Sequence, residues 1–153
     1  MLWEEFRSLA LPLLGEHFPS ELIEDNVDSI VVTSRRDFTT YILSEDERGI
    51  VIAYEGERNT VVPFCITQSL ELAATCLTLL ARDGIVTLTD MSYTPQDLLG
   101  PLPHTAFTIS KKSPPFFELT STIDPTVSAT CQSFAYARAL AEASAPSLES
   151  LRP

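Results

Sequence analysis

Residues 66–82 read ITQSLELAATCLTLLAR, and this stretch decides the fold because its apolar side chains recur with the period of a helix. Steps of three and four residues bring side chains to one helix face, and further apolar neighbours widen that face to more than half of the circumference. Thr67 and Ser69 offer N-cap oxygens, and Gly84 follows the last turn, as a C-terminal glycine commonly does. A helix this apolar needs a sheet to cover it, so we predict a buried central helix. Its buried side chains would be Ile66, Leu70, Leu72, Ala73, Cys76, Leu77, Leu79 and Leu80.

Segments with the composition of strands precede this helix. They are rich in β-branched and aromatic residues, and short polar connectors separate them, as in antiparallel hairpins. Such a meander can bury one face and leave the other in water. Residues 60–65 lead into the helix, but Pro63 argues against an inner strand because proline has no N–H to donate to a neighbour. The three predicted strands are Ser29–Ser34, Phe38–Leu43 and Gly49–Tyr54.

Further strand-like segments follow the helix. Residues 85–89 alternate in polarity and predict a short strand or, alternatively, an extended connector. Residues 105–110 and 116–122 predict two more strands across a turn. Between residues 123 and 132 two patterns compete. Asp124-Pro125 suits the start of a helix, whereas the alternation of small apolar and polar residues suits a strand. We favour a turn at Asp124-Pro125 followed by a strand over residues 126–131.

A helix is predicted at each end of the chain. Residues 2–11 have an amphipathic pattern, which Pro12 and Gly15 would end or kink. The last helix is predicted over residues 133–143. Inward side chains of the first helix would be Trp3, Phe6 and either Leu9 or Leu13, and those of the last would be Phe134, Ala137 and Ala141.

The order of these elements predicts an α+β fold, in which an antiparallel sheet packs against helices in the order α-βββ-α-β(β)ββ-α. A chain of 153 residues is long enough to bury a core. We predict a single α+β domain over residues 1–145 and a frayed tail over residues 146–153.

The chain is acidic, with 10 Lys and Arg against 21 Asp and Glu and a formal net charge of −11. This excess would repel a phosphate backbone, so nucleic-acid binding is disfavoured. Residues 1–60 hold 13 of the acids and five arginines, so the charge is concentrated in the first part of the chain. The acidity either maintains solubility or favours a partner that is basic at the contact.

The three cysteines, Cys65, Cys76 and Cys131, lack the spacing of a metal site or a redox motif. The first residues, MLWEEFRS, carry acids where a signal peptide needs positive charge. No apolar run reaches the length of about 18 residues that a membrane span requires. We therefore expect a protein of the reducing cytoplasm that does not bind a membrane.

The sequence contains no recognisable catalytic arrangement. Its five glycines are too dispersed for a phosphate-binding loop, and His17 and His104 are solitary, which disfavours a metal site. A nucleophile needs a base within hydrogen-bond reach, and His104 is the one plausible base, for Cys131 or Ser110. We expect a protein that is not an enzyme and that takes no cofactor and no metal.

Two features suit the recognition of a protein partner. Acidic turns lie at both ends of one predicted strand and could steer a basic partner, or they could be ordinary solvated charge. The loop of residues 90–104 contains three of the 11 prolines, and a stiff loop loses little entropy on binding. Alternatively, Tyr93 and Leu98 of this loop fold back on the core. The predicted partner-binding residues are Glu45, Asp46, Glu47, Glu55, Glu57, Met91, Tyr93, Thr94, Gln96 and Asp97.

Three segments carry a family resemblance: FTTYILSEDERGIVIAYEG with ITQSLELAATCLTLLAR, YTPQDLLGPLP before TAFTIS, and FFELTSTIDPTVSATCQSFAYARALAEA. Together with the order of elements, they resemble the immunity proteins that neutralise NAD-hydrolysing toxins of the tuberculosis necrotizing toxin type. The chain is shorter at its C-terminus than that family's pattern. The resemblance implies a small cytoplasmic α+β inhibitor that plugs the NAD cleft of a toxin. Its inserting loop would be Tyr93–Leu99, with Gln96 as the polar contact.

The element order, small size and acidity also resemble those of class I type III secretion chaperones. Members of that class are dimers that hold an unfolded effector segment along apolar strands. This second resemblance implies dimerisation through a helix or strand and exposed apolar patches on the monomer.

Overall fold

The structure is a computed structural model that describes residues 1–35, 38–56, 58, 60–84, 99–113 and 116–149, with Asp83 and residues 145–149 described in backbone only. The described part confirms the predicted α+β class. A 3₁₀ turn at Ser20–Leu22 precedes the first strand. The helices and strands are α1 (Trp3–His17), β1 (Ile23–Asp25), β2 (Ser29–Thr33), β3 (Thr40–Asp46), β4 (Gly49–Glu55), β5 (Val61–Thr67), α2 (Leu70–Asp83), β6 (Gly100–Pro101), β7 (Phe107–Lys111), β8 (Phe117–Ser121), β9 (Ser128–Cys131) and α3 (Phe134–Glu149).

Within the described residues, nine strands form one antiparallel sheet in the order β1-β2-β3-β4-β5-β9-β8-β7-β6. Two meanders, β1 to β5 and β6 to β9, meet where β5 pairs with β9 through Cys65–Cys131, Ile66–Thr130 and Thr67–Ala129. All three helices contribute to one hydrophobic core together with alternate residues of the strands. The helices therefore cover the same face of the sheet. None of the described helices is long and apolar enough to cross a membrane.

The central helix begins later than the sequence pattern predicts. Ile66 and Thr67 belong to β5, and α2 starts at Leu70, because residues 65–67 take the cross-strand pairing with β9 instead of helical hydrogen bonds. Ser69 is the N-cap, and its side-chain oxygen accepts a hydrogen bond from the Leu72 N–H at 3.2 Å. Gly84 ends the helix with a φ of 76°, a conformation that glycine adopts without strain.

The first helix does not end at Pro12 or Gly15, because α1 is one helix to His17 with Pro12 inside it. Proline leaves the carbonyl four residues earlier, that of Ser8, without its helical donor. Ser8 is an exposed residue, so this hydrogen bond is lost on the solvent side of the helix. The inward face also differs, because Leu9 is 50% exposed whereas Ala10 and Leu14 are buried beside Trp3 and Phe6.

The prediction against an inner strand at Pro63 is also wrong, since β5 pairs with β4 on one side and β9 on the other. Only residues 65–67 pair with β9, so Pro63 lies in the part of β5 that has a single neighbouring strand. A shift in register next to Ile52 also accommodates the proline, because Phe64 becomes an extra residue between Pro63 and Cys65. The missing N–H therefore breaks no inner ladder.

Near the C-terminus the favoured strand is confirmed as β9, Ser128–Cys131, and the helix alternative for these residues is wrong. The last helix, α3, continues through Pro146 to Glu149, beyond the predicted end at residue 143 and into the segment predicted to fray. Phe134, Ala137 and Ala141 are buried, as predicted, and Tyr136 and Leu140 are buried with them. The strand predicted over residues 85–89 lies outside the described residues.

Candidate functional site

The candidate site lies on the sheet face opposite the helices. Strand alternation places Ile50 and Ile52 of β4 in the core and turns Val51 and Ala53 to the other face. Val51, Ala53 and Ile66 form a separate cluster there, with only 7%, 2% and 7% of their surfaces exposed. No described helix contributes a side chain to this second cluster.

The register of the strands extends this cluster into a row. Val31 pairs with Ile42, Ile42 pairs with Ala53, and Ala53 pairs with Pro63, so four neighbouring strands each place an apolar side chain side by side. Val31, Ile42 and Pro63 are half-buried. We call Val31, Ile42, Ala53 and Pro63 the apolar row. Ala53 is 2% exposed, so the half-buried Val31, Ile42 and Pro63 form the accessible part of the row, and accessible apolar surface of this kind can mark a place where another molecule packs.

A groove of about 620 Å³ lies at the junction of the two meanders, and it shares Ile66 with the cluster that also contains Val51 and Ala53. Ile66 and Thr130 are among its lining residues, together with Gln68 and three charged side chains, those of Arg48, Lys112 and Glu118. The Lys112 Nζ donates to Thr130 Oγ1 at 3.3 Å and lies 3.4 Å from a Glu118 carboxylate oxygen. Arg48 pairs with Asp46, so each charged side chain of the groove has an opposite charge beside it, and the groove carries both polar and apolar side chains.

The three acidic residues at the β3–β4 turn, which were predicted to contact a partner, have three different environments. Glu45 accepts hydrogen bonds from the backbone N–H groups of Leu2 and Trp3 at 2.8 and 3.2 Å, so it caps the start of α1. Asp46 binds Arg48 at 2.6 Å, and the hydrogen bond from Arg48 lowers the pKa of the Asp46 carboxyl. Glu47 is exposed and, in the described part of the chain, forms no ion pair.

A second concavity, of about 660 Å³, lies on the other side of this turn, between the N-terminus and Gln68. Glu45, Asp46 and Glu47 all line it, so the three predicted contact residues do share one surface. Glu55 lies at the far end of β4, where it is exposed and, among the described residues, forms no ion pair. The acidic residues at the two ends of β4 thus border the apolar face without touching each other.

The remaining predicted partner-binding residues lie outside the described part of the chain. They are Glu57, Met91, Tyr93, Thr94, Gln96 and Asp97.

The one catalytic pairing considered from the sequence involves residues that differ sharply in exposure. His104 is exposed in a turn with a φ of 62°, whereas Cys131 is fully buried in the core beneath the helices. Ser110 is exposed on β7, and no hydrogen bond joins it to His104 within the described residues. Among these residues, no group of three or more His, Cys, Asp or Glu side chains could hold a metal ion.

The sequence analysis missed the apolar row. A signal was present, because residues 50–53 read IVIA and are apolar in both phases of a strand, which marks a strand with two apolar faces. Only the register of four strands brings Val31, Ile42, Ala53 and Pro63 together, and a single segment cannot reveal it.

Comparison with family models, with curated proteins and with solved structures finds no match for this chain. The resemblances to immunity proteins and secretion chaperones therefore rest on the sequence features described above, and the site must be interpreted from its own chemistry.

Proposed function

We propose that this chain binds a protein partner through the apolar row and blocks that partner's activity. The observation that carries the proposal is the apolar row itself, which is in register across four strands and lies on the face that no described helix covers. Interface cores are depleted in charge, and a rigid sheet loses little conformational entropy on binding.

Charge at the border of the row specifies the partner further. Glu24 of β1 pairs directly with Val31 at one end of the row, and Glu47 and Glu55 are exposed at opposite ends of β4. With a net charge of −11, the surface attracts a partner that carries basic residues around an apolar contact. Electrostatic attraction of this kind raises the association rate and weakens as salt is added.

The resemblance to immunity proteins makes an NAD-hydrolysing toxin the partner to test first. In that interpretation the chain covers the toxin's NAD cleft, and residues Tyr93–Leu99 would enter it, with Gln96 as a polar contact. The chaperone alternative uses the same apolar row, because an unfolded effector segment would also lie along apolar strands. The two functions differ in their partner and in the oligomeric state of this chain.

The first experiment is to co-express this chain with the product of the neighbouring gene and to isolate the complex. A one-to-one complex that reverses toxicity and NAD depletion supports the immunity function. A dimer of this chain that binds a non-toxic secreted protein supports the chaperone function instead. If no complex forms, the proposal of an inhibitory partner is refuted.

Two variants on the same sheet face locate the contact. Ile42→Glu places a charge in the apolar row, whereas Thr120→Glu makes a matched change at a half-buried position of β8 on the same face. We expect Ile42→Glu to weaken the complex at least tenfold and Thr120→Glu to change its affinity less than twofold, measured by calorimetry at fixed salt. Equal effects of the two variants would exclude the apolar row as the contact.

A further inference from the structure

Three free thiols lie together at the centre of the core, beneath the junction of the two meanders. Cys65 belongs to β5, Cys131 to β9 and Cys76 to α2, and all three are 0% exposed. The proposed partner-binding function does not use them, because they face the helices rather than the apolar row. Three cysteines that the chain spaces far apart are thus gathered at one point of the fold.

Cys65 and Cys131 are directly opposite each other in the sheet. The N–H of Gln132 donates to the carbonyl of Phe64 at 3.1 Å, and this bond joins the residues just outside the Cys65–Cys131 pair. The two cysteines therefore occupy a non-hydrogen-bonded site of the antiparallel ladder, where Cα atoms approach to about 4.5 Å and side chains lie closest. That separation falls within the range of about 4.4–6.8 Å that a disulfide spans.

We infer that Cys65 and Cys131 form a reversible disulfide site, whose oxidant is a peroxide. The site is fully buried, so the oxidant must be a molecule of about the size of water, as hydrogen peroxide is. The bond would join β5 to β9 covalently, at the one described pairing between the two meanders. This inference is independent of the proposed partner.

The chemistry takes two steps. The Cys65 sulfur attacks one oxygen of hydrogen peroxide, the O–O bond breaks, and a sulfenic acid and one water result. The Cys131 sulfur then attacks the Cys65 sulfur, the S–O bond breaks, and a second water leaves. Two thiols and one peroxide thus give one disulfide and two waters, with both electrons passing from sulfur to the peroxide oxygens.

The surroundings favour Cys65 as the attacking thiol. Side-chain hydrogen bonding with Cys131, and then with Cys76, lowers the pKa of Cys65, whereas the hydrogen bond to Cys65, and then burial, raises the pKa of Cys131. Because the thiolate is the reactive form, Cys65 reacts first. Cys131 then follows because the sheet register holds it directly opposite.

The test treats the reduced, folded protein with hydrogen peroxide and counts thiols after denaturation. Met1 is fully exposed and provides an internal control, since its conversion to the sulfoxide proves that the dose was sufficient. We expect the wild type to fall from three thiols to one and Cys76→Ala to fall from two to none, whereas Cys131→Ala should lose only the Cys65 thiol, as its sulfenic acid, and form no disulfide. A dithiol should restore the original counts.

The position of the bond is read by digestion of the oxidised wild type under non-reducing conditions. Trypsin together with a glutamate-specific protease cuts at Glu71, between Cys65 and Cys76, so each cysteine lies in its own peptide. A linked pair of peptides containing Cys65 and Cys131 supports the inference. Three remaining thiols after full Met1 oxidation, a bond to Cys76, or a bond between two chains would each overturn it.

Discussion

The start of α1 depends on a residue that lies far along the chain. Leu2, the N-cap residue, provides no side-chain hydrogen bond, and the Glu45 carboxylate accepts from the N–H groups of Leu2 and Trp3 instead. We predict that Glu45→Ala destabilises the protein by leaving these two donors without their acceptor and by removing a negative charge from the positive end of the helix.

The magnitude follows from these two losses. Loss of an N-terminal cap costs about 0.5–2 kcal/mol, and a favourable charge at a helix end contributes about 0.3–1 kcal/mol. Glu45 is half-buried, which limits how well water can replace it. We therefore expect Glu45→Ala to lower the free energy of unfolding by about 2 kcal/mol, which corresponds to a fall in Tm of roughly 4–8 °C for a chain of this size.

Urea unfolding measured by circular dichroism tests the magnitude, with Glu47→Ala as the matched control. Glu47 lies in the same turn but is exposed, so its loss should change the free energy of unfolding by less than about 0.5 kcal/mol. The single tryptophan, Trp3, reports the location, because its indole N–H donates to the Val27 carbonyl at 3.0 Å. Glu45→Ala should shift its emission to the red before global unfolding. Equal stabilities of the two variants would refute the capping role.

Other predictions concern α2 and α3. Ser69→Ala and Ser133→Ala should each lower the free energy of unfolding by about 1 kcal/mol, because each serine accepts a bond from the first turn of its helix, whereas Thr78→Ala on the exposed face of α2 should cost less than about 0.5 kcal/mol. Leu77→Asp should abolish folding, as judged by circular dichroism, because Leu77 is 2% exposed and its carboxylate would be buried without a partner. Leu70→Asp should leave the protein folded, because Leu70 is half-buried in the first turn, where a negative charge is favoured.

The elements that the sequence predicts well are those set by local pattern. The β2–β3–β4 meander matches the prediction to within a few residues, because its strands are β-branched and its turns short. The acidic strand β1, Ile23–Asp25, has no such pattern and forms because its residues pair with β2. The start of α2 was likewise misplaced, since Ile66 fits a helical period equally well and only pairing with Thr130 assigns it to a strand.

The predictions that Pro12 would end the first helix and that Pro63 would exclude an inner strand failed for the same reason. A proline costs stability where its missing N–H would have had a partner, and the sequence does not say where the partners are. Pro12 lies four positions after the exposed residue Ser8, and Pro63 lies where β5 has only one neighbour. The candidate site was harder still to foresee. The contact between Glu45 and Leu2 spans 43 positions, and the apolar row exists only once four strands are in register.

The two meanders end in the same local pattern at the junction where β5 pairs with β9. Ile66 and Thr130 pair there, and each is followed two positions later by a Gln-Ser pair, in which the serine caps the helix that follows. In each half of the sheet, the central strand is thus followed by a helix that a serine caps.

The two halves of the sheet differ at corresponding positions of the face opposite the helices. On the face opposite the helices, β4 beside β5 presents Val51 and Ala53, whereas β8 beside β9 presents Glu118 and Thr120. The apolar residues of the first half coincide with its excess of acidic charge, so an apolar surface with an acidic border lies on one half of the sheet alone. Substitutions on this face of β2–β5 should therefore abolish partner binding without unfolding the protein. Substitutions on the same face of β7–β9 should leave partner binding intact, and this difference distinguishes a role in recognition from a role in stability.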